Sequence, residues 1–205
     1  NSIIKKENEN KFSYLLGPDG KVKFWFIYLI KNSELKIYQS EDNLTDLKNV
    51  LEKYKIRINC ELNILKEDSF FEISKKEESL LVQSIAKSEQ FLDWIEIEFF
   101  YELPSLQIIE IGLLPNEIRW LESFVDFYKG CFMGQEQASR VNFRGKPRRI
   151  LKTLSNSTQE IIKTYLEVTK NNSRCKYCGR ILYKKVSEKY IVCLLYTSPS
   201  PRDLV

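Results

Sequence analysis

Residues 17–30 read GPDGKVKFWFIYLI, and this stretch decides the fold. Pro18-Asp19-Gly20 is turn chemistry: proline presets one backbone angle, aspartate bonds back to its own chain, and glycine accepts a left-handed conformation. The turn feeds a strand rich in aromatic and β-branched residues. Its apolar run, residues 24–30, stops after seven residues, far short of the roughly 20 that a bilayer span needs. After Lys31-Asn32, residues 34–40 (ELKIYQS) alternate as a second strand, which predicts a hairpin. SEDNLTDLKNVLEKYK then changes to helical spacing. Leu44, Leu47, Val50, Leu51 and Tyr54 share one face, with Ser40 or Asn43 available as a cap. IRINCELNI (residues 56–64) returns to period two and groups Ile56, Ile58, Cys60 and Leu62, which reads Cys60 as a core residue. Hairpin, helix and strand make an α+β arrangement.

The 205 residues suit one large or two small domains with a proper core. A 43% hydrophobic and 29% charged composition is that of an ordinary folded domain. The start, NSIIKKENEN, lacks the apolar stretch of a signal peptide, and it opens on Asn, as a processed chain or a fragment would. Five widely spread cysteines suggest free thiols in a reducing, cytoplasmic compartment. The chain contains no histidine. Ser-His and Cys-His catalytic pairs are therefore excluded, as is any imidazole metal site. From residue 70 to 111 the signals are weaker and read as strands and packing aromatics around Trp94 and the cluster at 99–101. Residues 194–205 (LLYTSPSPRDLV) shift abruptly in composition and read as a non-native read-through tail.

The chemically densest stretch is KGCFMGQE, residues 129–136. Gly130 and Gly134 permit positive φ or close approach to a ligand. QEQASRV reads as a helical turn or two. If that helix starts near Gly134, Cys131 stands just before its positive end, where a thiolate is favoured, and Lys129 pushes the same way. Gln135 and Glu136 offer hydrogen-bonding groups from the first turn. Spacing alone leaves the stretch balanced between a site and a tight turn with an inert cysteine.

KGCFMGQE resembles the Lys-Gly-Cys-aromatic-x-Gly-Gln-Glu signature of the YgfZ family of folate-binding proteins, relatives of the glycine-cleavage aminomethyltransferase. Downstream, RVNFRGKPRRIL is similar to the family's Arg-x-x-x-Arg-Gly-Lys-x-x-Arg-x-Leu continuation. Upstream, LLGPDGKVKFWFIYLI resembles its Leu-Leu-x-Pro-x-Gly-Lys strand. The resemblance covers about residues 12–193 and implies that an N-terminal segment of the family fold is missing. It implies an aminomethyltransferase-like folate-binding domain (residues 1–145) and the start of a C-terminal small β-barrel (residues 146–193). It further implies tetrahydrofolate as cofactor, iron–sulfur client or assembly proteins as partners, and an indirect effect on tRNA modification. Under it Cys131 is the functional thiol and Lys129 its companion. Gly130, Phe132, Gly134, Gln135, Glu136 and Arg144 become cofactor-binding positions, with Gly145 beside Arg144. The alternative within the resemblance is a true aminomethyltransferase enzyme passing a one-carbon unit to tetrahydrofolate. The cysteine-centred motif favours the accessory role, because such transfer needs a placed carboxylate and amine rather than a thiol. Localisation follows as cytoplasmic, or the mitochondrial matrix in a eukaryote. The chain departs from the family at Gln107, where an arginine is expected, and at Phe132, where tyrosine is common.

Between Lys129 and Lys152 stand seven basic residues and one acid, Glu136, a local balance of +6 against +4 for the whole chain. The remainder is therefore −2, and the positive character is local. Such a patch suits an anionic ligand such as a folate with its glutamate tail. It equally suits a solvated surface turn. Direct nucleic-acid binding is disfavoured, since Phe143 alone interleaves the basic residues. Cys175 and Cys178 (CKYC) form half a zinc-site pattern, but only Cys193 follows and no metal is assigned; the strand reading of this region leaves them structural.

Overall fold

The structure, a computed structural model, describes residues 8–56, 58–66, 68–86, 91–155, 182–185 and 190–196. The described residues form a mixed α and β fold with three small antiparallel sheets. Strands β1 (Asn10–Leu16), β2 (Val22–Lys31) and β3 (Glu34–Tyr38) form the first sheet in that order. The 17–20 turn joins β1 to β2, with Tyr14 opposite Trp25 and Phe12 opposite Ile27. The β2–β3 hairpin turns on Asn32 and Ser33, both at positive φ, the mirror-image turn whose twist matches the strands it joins.

From Phe24 to Ile30 β2 is apolar because both faces of its sheet are covered. Trp25 and Ile27 turn into a cluster with Phe12, Tyr14 and Leu16, while Phe24, Phe26 and Tyr28 face Leu47. Leu47 belongs to helix α1 (Glu41–Tyr54), whose Val50 and Leu51 pack on the same side. The helix forms where its spacing predicts. Ser40 does occupy the N-cap position, but its hydroxyl makes no cap bond. Gln39 takes over, accepting from Ser40 N–H at 2.7 Å.

Hairpin β4 (Phe70–Lys76) and β5 (Ser79–Ile85) lays Leu80 and Val82 onto the other face of the first sheet. Short helices α2 (Trp94–Phe100), α3 (Leu106–Ile109) and α4 (Leu121–Phe124) complete that side, with a single 3-10 turn at Pro115–Glu117. Trp25 stacks on Trp94 at 4.6 Å and donates its indole N–H to Pro104 O at 3.1 Å. Trp120 donates its own to Tyr101 O. Both large rings thus bury their area without stranding a polar tip. The third sheet takes β6 (Arg149–Ser155), β7 (Leu182–Lys185) and β8 (Tyr190–Tyr196) in the order β6–β8–β7. β8 runs through 194–196, the first three residues of the stretch that reads as a tail, pairing Tyr196 with Arg149.

Two readings need correction. The described residues of 56–64 form no strand. Ile58 N–H bonds back to Lys55 O and Cys60 N–H to Ile58 O, so the backbone spends its donors on local turns and not on a ladder. Ile56 is consequently 75% exposed and Ile58 51%, and Cys60 is an exposed free thiol outside the core. Residues 94–100 are a helix, begun by Asp93. The Asp93 carboxylate accepts from Glu96 N–H at 2.7 Å and Glu96 accepts from Asp93 N–H at 3.0 Å, a reciprocal cap.

Candidate functional site

Four segments far apart in the chain meet at the turn end of the first sheet. The closest contact joins the 17–20 turn to the 129–136 stretch. Gly134 has φ of +76° and caps helix α5 (Gln135–Arg144). A Cβ placed on Gly134 would stand 2.6 Å from Gly17 O and 2.7 Å from Gly20 Cα. A Cβ on Gly20, itself at φ +75°, would stand 2.9 Å from both Gly134 O and Gln137 Cβ. Backbone rests on backbone here, and only glycine permits it. Around this contact Val22 N–H donates to Leu113 O at 2.8 Å, and Asn116 donates to Ala138 O at 3.1 Å.

The fourth segment is fixed by charge. Arg149 grips Glu117 with two bonds, Nε to Oε1 at 2.7 Å and Nη2 to Oε2 at 2.8 Å, and also donates to Gly112 O at 2.8 Å. Glu117 is 3% exposed, and its Oε2 also accepts from Leu114 N–H at 2.9 Å. This is a bidentate pair with further hydrogen bonds on both partners, the arrangement a buried ion pair requires.

That pairing changes the electrostatic picture of the basic stretch. Arg149 belongs to Glu117, Arg140 pairs with Glu136 at 2.9 Å, and Lys152 stands 3.7 Å from Glu102. Lys146 and Arg148 are exposed. A local +6 along the sequence thus becomes a narrower positive rim in space.

Within the motif the residues divide. Gln135 accepts from Phe132 N–H through its side chain at 3.2 Å and donates its own N–H to Phe132 O, closing the loop before α5. Phe132 packs on the main core and carries the Lys129 ammonium 5.0 Å from its ring centre. Burial lowers the Lys129 pKa from its ordinary value, opposed by the nearby Asp126 carboxylate. Cys131 is an exposed free thiol three residues before the helix cap. A Cβ added to Gly130 would meet nothing within 4 Å, and the residue is not at positive φ, so neither reason for a glycine applies there. Arg144 ends α5; its side chain, like that of Gln107 on α3, lies outside the described residues.

Lys129 also lines a cleft of about 830 Å3 between β1, β5 and α4, with Lys11, Glu122 and Asp126 among its walls. Apart from Lys129 no sequence motif marks this cleft, because its walls come from residues 8–13, 28–31, 79–84 and 122–129. Among the described residues no group of three or more cysteine, aspartate or glutamate side chains is placed to hold a metal. No helix among them is long and apolar enough to cross a membrane. Cys175 and Cys178 lie outside the described residues. No protein-family model matches the chain, and a comparison with curated proteins gives no match.

Proposed function

We propose that this chain is a YgfZ-type accessory protein that binds tetrahydrofolate and supports assembly or repair of iron–sulfur proteins in the cytoplasm, acting on tRNA modification only indirectly. The observation that carries the reading is the interlock of Gly134 with Gly17 and Gly20. The two stretches that bear the resemblance most fully, residues 15–30 and 129–136, are thereby parts of one surface. A resemblance by chance has no reason to bring its separate pieces into backbone contact.

The chemistry assigned to that surface is modest. The αL glycine and the loop closed by Gln135 hold the start of α5 in place. The positive end of α5 at Gln135 favours an anionic group such as a folate glutamate tail, and Lys146 and Arg148, exposed past the helix's other end, add further positive charge. Cys131, exposed between Lys129 and the helix, is the thiol through which the protein acts on its client. An enzyme that passes one-carbon units would not need that thiol.

The test is rescue of an iron–sulfur enzyme defect by the full-length protein and its Cys131→Ala variant. Cys131 is exposed, so the variant keeps its melting temperature, and rescue is lost. Full rescue by a stably folded Cys131→Ala variant contradicts the reading.

A further inference from the structure

The cleft between β1, β5 and α4 has a chemistry that the folate reading does not use. One wall carries an amine and two carboxylates: Lys129, Asp126 and Glu122. The lining on β1 and β2 carries Lys11 and Lys31, with Glu9 at 3.7 Å from Lys11. Lys129 is half-buried, its amine over the Phe132 ring. Asp126 is held in place by accepting from Tyr128 N–H at 2.8 Å. A desolvated lysine in a hollow of this size, with a carboxylate on the same wall, has the parts of an imine-forming site.

We propose that Lys129 is a reactive amine that condenses, inside this cleft, with a small carbonyl compound bearing a carboxylate. The neutral amine nitrogen attacks the carbonyl carbon, forming the C–N bond, and the carbonyl oxygen takes up the proton that nitrogen loses. A second proton, from solvent, goes to that hydroxyl, which leaves as water while the nitrogen lone pair closes the C=N bond as a protonated imine. Attack of water on the imine reverses the sequence and restores the amine. No electrons are exchanged with a third party. Lys11 and Lys31 attract the carboxylate of the carbonyl compound into the cleft. Burial, which lowers the pKa of Lys129, raises the share of neutral amine available near neutral pH. The titratable and charged groups lining the same space are Asp126, Glu122, Glu9, Lys11, Lys31 and Tyr28, and of these Asp126 opposes the effect of burial on Lys129.

The probe is glyoxylate, with cyanoborohydride present to fix any imine as a stable carboxymethyl amine, and peptide mapping to locate it. The wild-type chain is used without folate, so the outcome is independent of the folate reading. Lys129 is expected to be labelled several-fold faster than the exposed Lys146, with its rate rising at lower pH than that of Lys146. Propionaldehyde, of similar size but uncharged, is expected to lose that preference. Labelling of Lys129 no faster than Lys146, or equal preference with the uncharged aldehyde, overturns the proposal. The variant Lys129→Arg must leave the labelling of Lys146 unchanged; a fall there would mean that the preference reflected the fold as a whole, and would also overturn it.

Discussion

Gly134 rests directly on Gly20: a Cβ on the first would lie 2.7 Å from the Cα of the second, and both residues have left-handed backbones. Two residues far apart in the sequence are thus in contact through the one residue type that allows it. Gly134→Ala combines a strained φ with a clash against immobile backbone. We expect it to cost about 2 kcal/mol or more, where strain alone accounts for about 1–3. Gly130→Ala, in open space, stays within about 0.5 kcal/mol of wild type. Urea denaturation of the pair measures the difference directly, and equal costs would mean that the interlock is not what the motif's glycines serve.

The Glu117–Arg149 pair predicts a strongly non-additive cycle. Glu117→Leu leaves the Arg149 guanidinium without its carboxylate and Leu114 N–H without an acceptor, a loss of about 3–5 kcal/mol. Arg149→Met costs a similar amount by stranding Glu117. The double variant Glu117→Leu/Arg149→Met recovers much of either loss, since no buried charge remains. Chemical denaturation of all four proteins reads the coupling, and simple addition of the two single losses would refute it.

Tyr14 stacks on Phe124 at 4.3 Å, and its hydroxyl has no hydrogen-bond partner among the described residues. Burial raises its pKa well above the ordinary tyrosine value. The folded protein therefore holds this proton where the unfolded chain gives it up. The associated stability is complete below about pH 10 and lost as pH climbs toward the raised pKa. Tyr14→Phe is expected to be as stable as wild type at pH 7, or more stable by up to about 1 kcal/mol. It should also lose less stability as the pH rises through about 10. Thermal melts across that range check both, and a destabilised variant at neutral pH would reveal a partner for the hydroxyl.

Alkylation separates the two cysteines' sequence readings from their places in the fold. Cys60 and Cys131 are both exposed, so iodoacetamide should modify both in the folded protein without a denaturant. Protection of Cys60 would return it to the core.

Much of the architecture is legible because it rests on local patterns. The Pro-Asp-Gly turn, the two-faced apolar run of β2 and the spacing of α1 each announce themselves within a dozen residues. The start of α5 at Gly134 is readable for the same reason. The failures have physical causes too. Residues 56–64 alternate like a strand, but alternation supplies only a face, and no neighbouring edge takes up the backbone donors of Ile58 and Cys60. Helix α2 hides among its aromatics, although Asp93 and Glu96 stand at capping-box spacing at its start. The Glu117–Arg149 pair and the cleft beside Lys129 depend on residues brought together over tens of positions, which periodicity does not report. Counting charges along residues 129–152 overstates the positive patch for that reason: two of its cations are answered by Glu117 and Glu102, which lie outside the stretch.

The most direct test of the account is a calorimetric titration of the full-length protein with tetrahydrofolate, run beside the variant Lys146→Glu/Arg148→Glu. Saturable binding with about one site per chain, weakened several-fold in the charge-reversed variant, is the predicted result. Absence of heat, together with no displacement of a fluorescent folate from a protein shown to be folded, would contradict it.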